Sequence, residues 1–138
     1  MKQITLLLLA VALLTTSCGG RFSKWTSSQV VDAFKAAGLE AESAKRITKD
    51  DYGMAPMTAK EGTHFLIPSL CADCGARVFS FATKEDLEKM QQYYVELGKG
   101  SAAFFSWVFV KDNILVQING DLPEDTAKKY EAALSQLK

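Results

Sequence analysis

Residues 101–119, SAAFFSWVFVKDNILVQIN, carry the strongest strand signal in the chain. Read with period two, Ala103, Phe105, Trp107 and Phe109 share one side, and Phe104, Val108 and Val110 share the other. Both sides are mostly apolar, so the first half reads as a central strand. Lys111-Asp112-Asn113 is a tight turn, because Asp and Asn both tolerate positive φ. ILVQIN then returns as the hairpin partner.

Upstream lies a helix, TKEDLEKMQQYYVELG. Thr83 can cap it, and acidic residues fill its first turn. Leu87, Met90, Tyr94 and Leu97 recur on one face, and Gly98 is its expected stop. Before that helix, THFLIPSL and ARVFSFA are short β-rich runs on either side of CADCG. Pro68 limits the first run to an edge or a bulge. Downstream, Pro123 opens a helix in which Ala127, Tyr130, Leu134 and Leu137 align. Toward the N-terminus, TSSQVVDAFKAAG predicts a helix over 27–37 with Thr26 and Gln29 as a capping box and Gly38 as the stop. Val30, Val31, Phe34 and Ala37 form its inner face. Residues 39–47 alternate weakly and read as an edge strand, and residues 48–62 as a loop.

From residue 76 the order is β-α-β-β-α. A right-handed crossover would make the strands on either side of the central helix parallel, and the hairpin adds an antiparallel neighbour. The expected class is α+β: a two-layer sandwich with a mixed, mostly antiparallel sheet of four to five strands and helices on one face.

The N-terminus carries a different signal. Lys2 precedes an apolar run from Ile4 to Leu14 broken only by Thr5. That is the layout of a secretory signal, and the run is too short for a membrane-spanning helix, which takes about 20 apolar residues. Leu14-Thr15-Thr16-Ser17-Cys18 resembles a bacterial lipobox, although leucine is commoner where Thr15 stands. The resemblance implies that Cys18 is joined to a diacylglycerol and becomes the new N-terminus after cleavage. Residues 1–17 are then a lipoprotein signal peptide, 18–25 a lipidated terminus and tether, and 26–138 one globular domain. The expected location is the extracytoplasmic face of a bacterial cell membrane or outer membrane, held there by acyl chains. The texture of WTSSQVVDAFKAAGLEAE and SWVFVKDNILVQINGDLPE is also similar to that of small bacterial lipoproteins, and this implies no activity.

Composition narrows the function. The 138 residues hold 16 basic and 16 acidic side chains, with no basic block, so nucleic acid is not an expected partner. A single histidine, His64, removes most histidine-based catalysis. No nucleophile elbow, phosphate-binding loop or dinucleotide fingerprint occurs.

Cys71-Ala72-Asp73-Cys74 is the most suggestive motif. With Cys18 lipidated, Cys71 and Cys74 are an even pair in an exported protein, which favours a disulfide pinning a hairpin. A redox-active CxxC is a second reading, but such motifs sit at a helix N-terminus, and this one lies between strands. Zinc is the third: Cys71, Cys74, His64 and Asp73 could supply four ligands. In YGMAPM, residues 52–57, Tyr52, Met54 and Met57 are candidate contacts for a protein or small-molecule ligand, unless the loop packs back on the sheet. The expected function is a non-enzymatic binding or envelope-assembly role without a cofactor. The alternative is a thiol-redox or metal-handling protein.

Overall fold

The computed structural model describes residues 22–138. Helix α1 (Ser27–Ala36) begins at the expected capping box: Thr26 and Gln29 exchange hydrogen bonds between side chain and backbone. It ends where Gly38 adopts φ 75°, a left-handed conformation that costs glycine little. Val30, Val31 and Phe34 are buried, but Ala37 lies past the last turn and is exposed. Strands β1 (Glu42–Arg46), β2 (Glu61–Leu66) and β3 (Gly75–Ser80) follow. Then come α2 (Lys84–Gly100), the hairpin β4 (Ser106–Lys111) and β5 (Ile114–Asn119), and α3 (Glu124–Ser135). Short 3-10 turns occupy Lys49–Tyr52 and Ala102–Phe104.

The chain is α+β, with five strands in the order β1-β2-β3-β5-β4. All four ladders are antiparallel. The expected mixed sheet does not form. Strands β3 and β4, on either side of α2, do run in the same direction, but β5 lies between them and pairs with both. The central strand is therefore β5, and β4 is an edge. β4 is apolar on both sides because both are partly covered, although Val110 stays exposed. Trp107 and Phe109 pack on the α1/α3 side, and Val108 packs on the α2 side.

The two-layer arrangement with helices on one face is also corrected. Ala76, Val78, Val116 and Ile118 face α1 and α3, whereas Phe79, Phe81 and Leu115 pack against Leu87, Met90 and Tyr94 of α2. Three layers result, with the sheet in the middle. The physical reason lies in β3 and β5: VFSF and ILVQI are apolar at consecutive positions, and such strands need cover on both faces.

Under α1 and α3, Phe34 meets Phe65 and Tyr130 edge-on, with ring centroids 6.0 and 5.2 Å away. The Tyr130 hydroxyl donates to the Glu40 carbonyl at 2.7 Å, so the one polar atom of that aromatic group is satisfied. Helix α2 does not stop at Gly98 but runs on to Gly100. A Cβ at Gly98 would sit in ordinary contact with Phe105, 3.4 Å from its Cα, so the position neither stops the helix nor demands glycine.

At the β4–β5 turn only Asp112 takes positive φ, at 51°. Asn113 is fully buried instead. Its Oδ1 accepts from the amides of Lys24 and Trp25 at 3.0 and 2.8 Å, and its Nδ2 donates to the Trp25 carbonyl at 2.7 Å. Phe22 and Trp25 pack against the two cores. Residues 22–25, expected to be tether, are thus fastened to the domain.

Candidate functional site

On the α2 side of the sheet, the strands change character along their length. Phe79 and Leu115 lie beneath α2 in an apolar cluster. Two residues along, on the same side, stand His64, Arg77 and Gln117. The register sets them in a row: His64 opposite Arg77, and Arg77 opposite Gln117. Lys45 extends the row on β1, opposite His64. No helix covers this half of the face, and a cleft of about 800 Å³ opens above it. Tyr52 and Met54 form one wall. Tyr93, Tyr94 and Leu97 of α2 form another, and Phe104 and Phe105 a third. The size is that of a pocket for a small organic ligand.

The hydrogen bonds orient the floor. The Arg77 guanidinium donates to Gln117 Oε1 at 3.2 Å, and Gln117 Nε2 donates to Ser106 Oγ at 2.9 Å. Arginine only donates, so the Gln117 carbonyl must face it and the amide nitrogen must face Ser106. Ser106 accepts, which leaves its own proton to donate. Among the described residues no carboxylate lies within ion-pairing distance of Arg77. The Nδ1 atom of His64 is buried and has no hydrogen-bond partner among them.

Burial, and then the Arg77 and Lys45 charges, hold the His64 imidazole below its ordinary pKa, against an opposing pull from Asp51. It is neutral at pH 7. Burial raises the Tyr52 and Tyr94 phenols, so both keep their protons. The Arg77 charge acts on both His64, its ladder neighbour, and Tyr94. Acidic groups line the edges: Asp50, Asp51, Asp73 and Asp121. Asp51 is held below the usual carboxylate range by hydrogen bonds from the Thr48 amide and hydroxyl, at 2.7 and 2.8 Å.

Cys71 and Cys74 are joined in a disulfide at the turn between β2 and β3. Cys74 Sγ also accepts from Asn119 Nδ2 at 3.7 Å. Neither sulfur in this form is a thiolate, so a zinc set of Cys71, Cys74 and His64 lacks two of its ligands. Among the described residues no group of three or more His, Cys, Asp or Glu side chains is placed to hold a metal ion. His64 and Asp73, considered only as zinc ligands, instead line the cleft.

The Tyr52 loop divides. Tyr52 packs on Phe79 with ring centroids 5.7 Å apart, and its neighbour Met54, 88% exposed, stands at the cleft wall. Met57, 64% exposed, is not part of the cleft. Cys18 lies outside the described residues.

No family model, curated protein or solved structure matches the chain. The functional reading therefore rests on the cleft's own chemistry.

Sequence reasoning missed Arg77, Gln117, Ser106, Tyr93 and Tyr94. A signal was there to read: Arg77 and Gln117 are long polar residues inside otherwise apolar strands, ARVFSF and ILVQIN.

Proposed function

We propose that this chain is a lipid-anchored domain on the extracytoplasmic face of a bacterial membrane, and that its cleft binds a small ligand without transforming it. The observation that carries the binding role is the pair His64 and Arg77 on the cleft floor beside the buried Gln117, where a cation and a buried imidazole nitrogen have unused hydrogen-bonding capacity. A protein does not ordinarily leave such groups unpaired in a recess, because their desolvation costs stability. Among the described residues no serine or cysteine is hydrogen-bonded to His64, so the floor has donors for recognition but no activated nucleophile.

The lipobox-like segment ending at Cys18 supports the anchor. The disulfide supports an oxidising compartment. Its place in a turn between strands, away from any helix N-terminus, argues against a thiol-redox role. No helix among the described residues is long and apolar enough to cross a membrane, and the proposal assigns attachment to the lipid on Cys18.

Metabolic labelling with a palmitate analogue tests the anchor. The wild type should incorporate label and sediment with membranes, and Cys18→Ala should do neither. Equal labelling of the two proteins would overturn the anchor.

A further inference from the structure

Resting on the binding role above, we infer that the cleft takes a zwitterionic peptide, with the peptide carboxylate on Arg77 and its ammonium toward the acidic edge. The charge distribution carries the inference. The cleft lining holds one cation, Arg77, which has a single neutral partner, the Gln117 carbonyl, and Lys45 stands one strand beyond His64 outside that lining. The lining also holds Asp50, Asp51, Asp73 and Asp121, none of them ion-paired among the described residues. A dianion such as phosphate would meet Arg77, with Lys45 one strand beyond His64, against four carboxylates. A simple cation would meet Arg77 and gain no partner for it. A molecule negative at one end and positive at the other satisfies both sets of groups.

The donor geometry fits a carboxylate. Arg77 presents a planar fork suited to two parallel oxygens. Ser106 has a proton free once Gln117 has donated to it. The Tyr94 hydroxyl, kept protonated by burial, makes no hydrogen bond with any described residue. The acids stand on two sides of Arg77. Asp73 and Asp121 lie at the strand ends beside the disulfide turn, and Asp50 and Asp51 lie in the 3-10 turn before Met54. A peptide ammonium directed toward either end of the cleft therefore has acid on its side.

The walls supply the remaining specificity. Met54 and Phe104 project from opposite walls, 88% and 57% exposed, and Phe105 stands beside the floor at 42%. Such apolar tips around a polar floor suit a peptide with an aliphatic side chain. At about 800 Å³ the cleft holds a dipeptide or tripeptide without rearrangement.

The test is calorimetric titration of the full chain in detergent with alanyl-leucine, its C-terminal amide, its N-acetyl derivative and inorganic phosphate. The dipeptide should bind. Amidation should weaken it about 30-fold and acetylation about 5-fold, and phosphate should bind more weakly than either. In Arg77→Met the dipeptide should fall to the affinity of its amide, while the amide binds the variant and the wild type alike. Arg77→Lys should recover part of the loss. A merely structural role for Arg77 predicts equal weakening of both peptides, and that result would overturn the inference. If phosphate or a neutral probe binds the cleft more tightly than the dipeptide, the zwitterion assignment is wrong while the binding role stands. If no probe binds, and a broader screen of neutral, anionic and cationic compounds also finds none, the binding role falls with it.

Discussion

On the side of the sheet toward α1 and α3, β2, β3 and β5 place Phe65, Ala76, Val78, Val116 and Ile118, none more than 1% exposed. On the opposite side the same strands place Phe79 and Leu115 beneath α2, and then His64, Arg77 and Gln117 beyond it. Two helices seal the first face. One helix covers only half of the second. The other half is walled by the Tyr52–Met54 and Phe104–Phe105 segments, and its strand residues change from apolar to polar. Apolar packing thus fills all of one face and half of the other, the proposed recognition site occupies the remainder, and the strands serve both faces through their period of two.

The largest effect should come from the sealed face. Phe34→Ala removes a fully buried ring that touches Phe65 and Tyr130, and should cost about 3–5 kcal/mol in denaturant unfolding. The folded fraction should still bind alanyl-leucine with wild-type affinity. A weakened site in molecules that remain folded would show that the two faces are not separate.

A smaller loss is expected at the turn that borders the cleft. Cys71→Ser/Cys74→Ser opens a loop with a sequence separation of 3, and the short loop limits the cost to about 1–2 kcal/mol. The β2–β3 ladder, paired over six positions, should hold the fold. Chelation with EDTA should not shift the melting curve of the wild type. Collapse under EDTA would revive the zinc reading of Cys71, Cys74 and His64.

The smallest stability effect should come from the open floor. Arg77→Met should change stability by less than about 1 kcal/mol, because losing the hydrogen bond to the buried Gln117 carbonyl is offset by removing a half-buried unpaired charge. A loss above about 3 kcal/mol would make Arg77 a structural residue. Acidification offers a finer probe. The folded His64 imidazole titrates below the unfolded value of about 6.5, so the unfolded chain takes up the proton first. The His64 contribution is complete above about pH 6.5 and is lost as pH falls toward the folded value. Stability of the wild type should therefore decline through that window more steeply than that of His64→Gln. Parallel curves would remove the imidazole from the account.

The elements were legible where the signal is local. The Thr26–Gln29 capping box, the α2 N-cap at Thr83 and the hairpin turn at Asp112 each involve neighbours within a few residues. The layering was not, because it depends on which strand β5 joins. Nothing within ILVQIN states that it pairs with β3 as well as β4. Gly98 misled because a glycine within a helix need not end it, and α2 runs on to Gly100. The cleft was hidden by register. Arg77 and Gln117 are 40 residues apart in the chain, and only the β3–β5 ladder makes them neighbours. Of the cleft, Tyr52 and Met54 were noticed in the sequence as exposed contacts, whereas His64 and Asp73 were noticed only as zinc ligands.

Amide chemical-shift mapping of the full chain in detergent, titrated with alanyl-leucine, tests the division of the two faces most directly. The account predicts saturable shifts at His64, Arg77, Tyr94, Ser106 and Gln117, with the amides of α1 and α3 unmoved. Shifts centred on α1 and α3, or confined to the exposed loop at Met57, would contradict it.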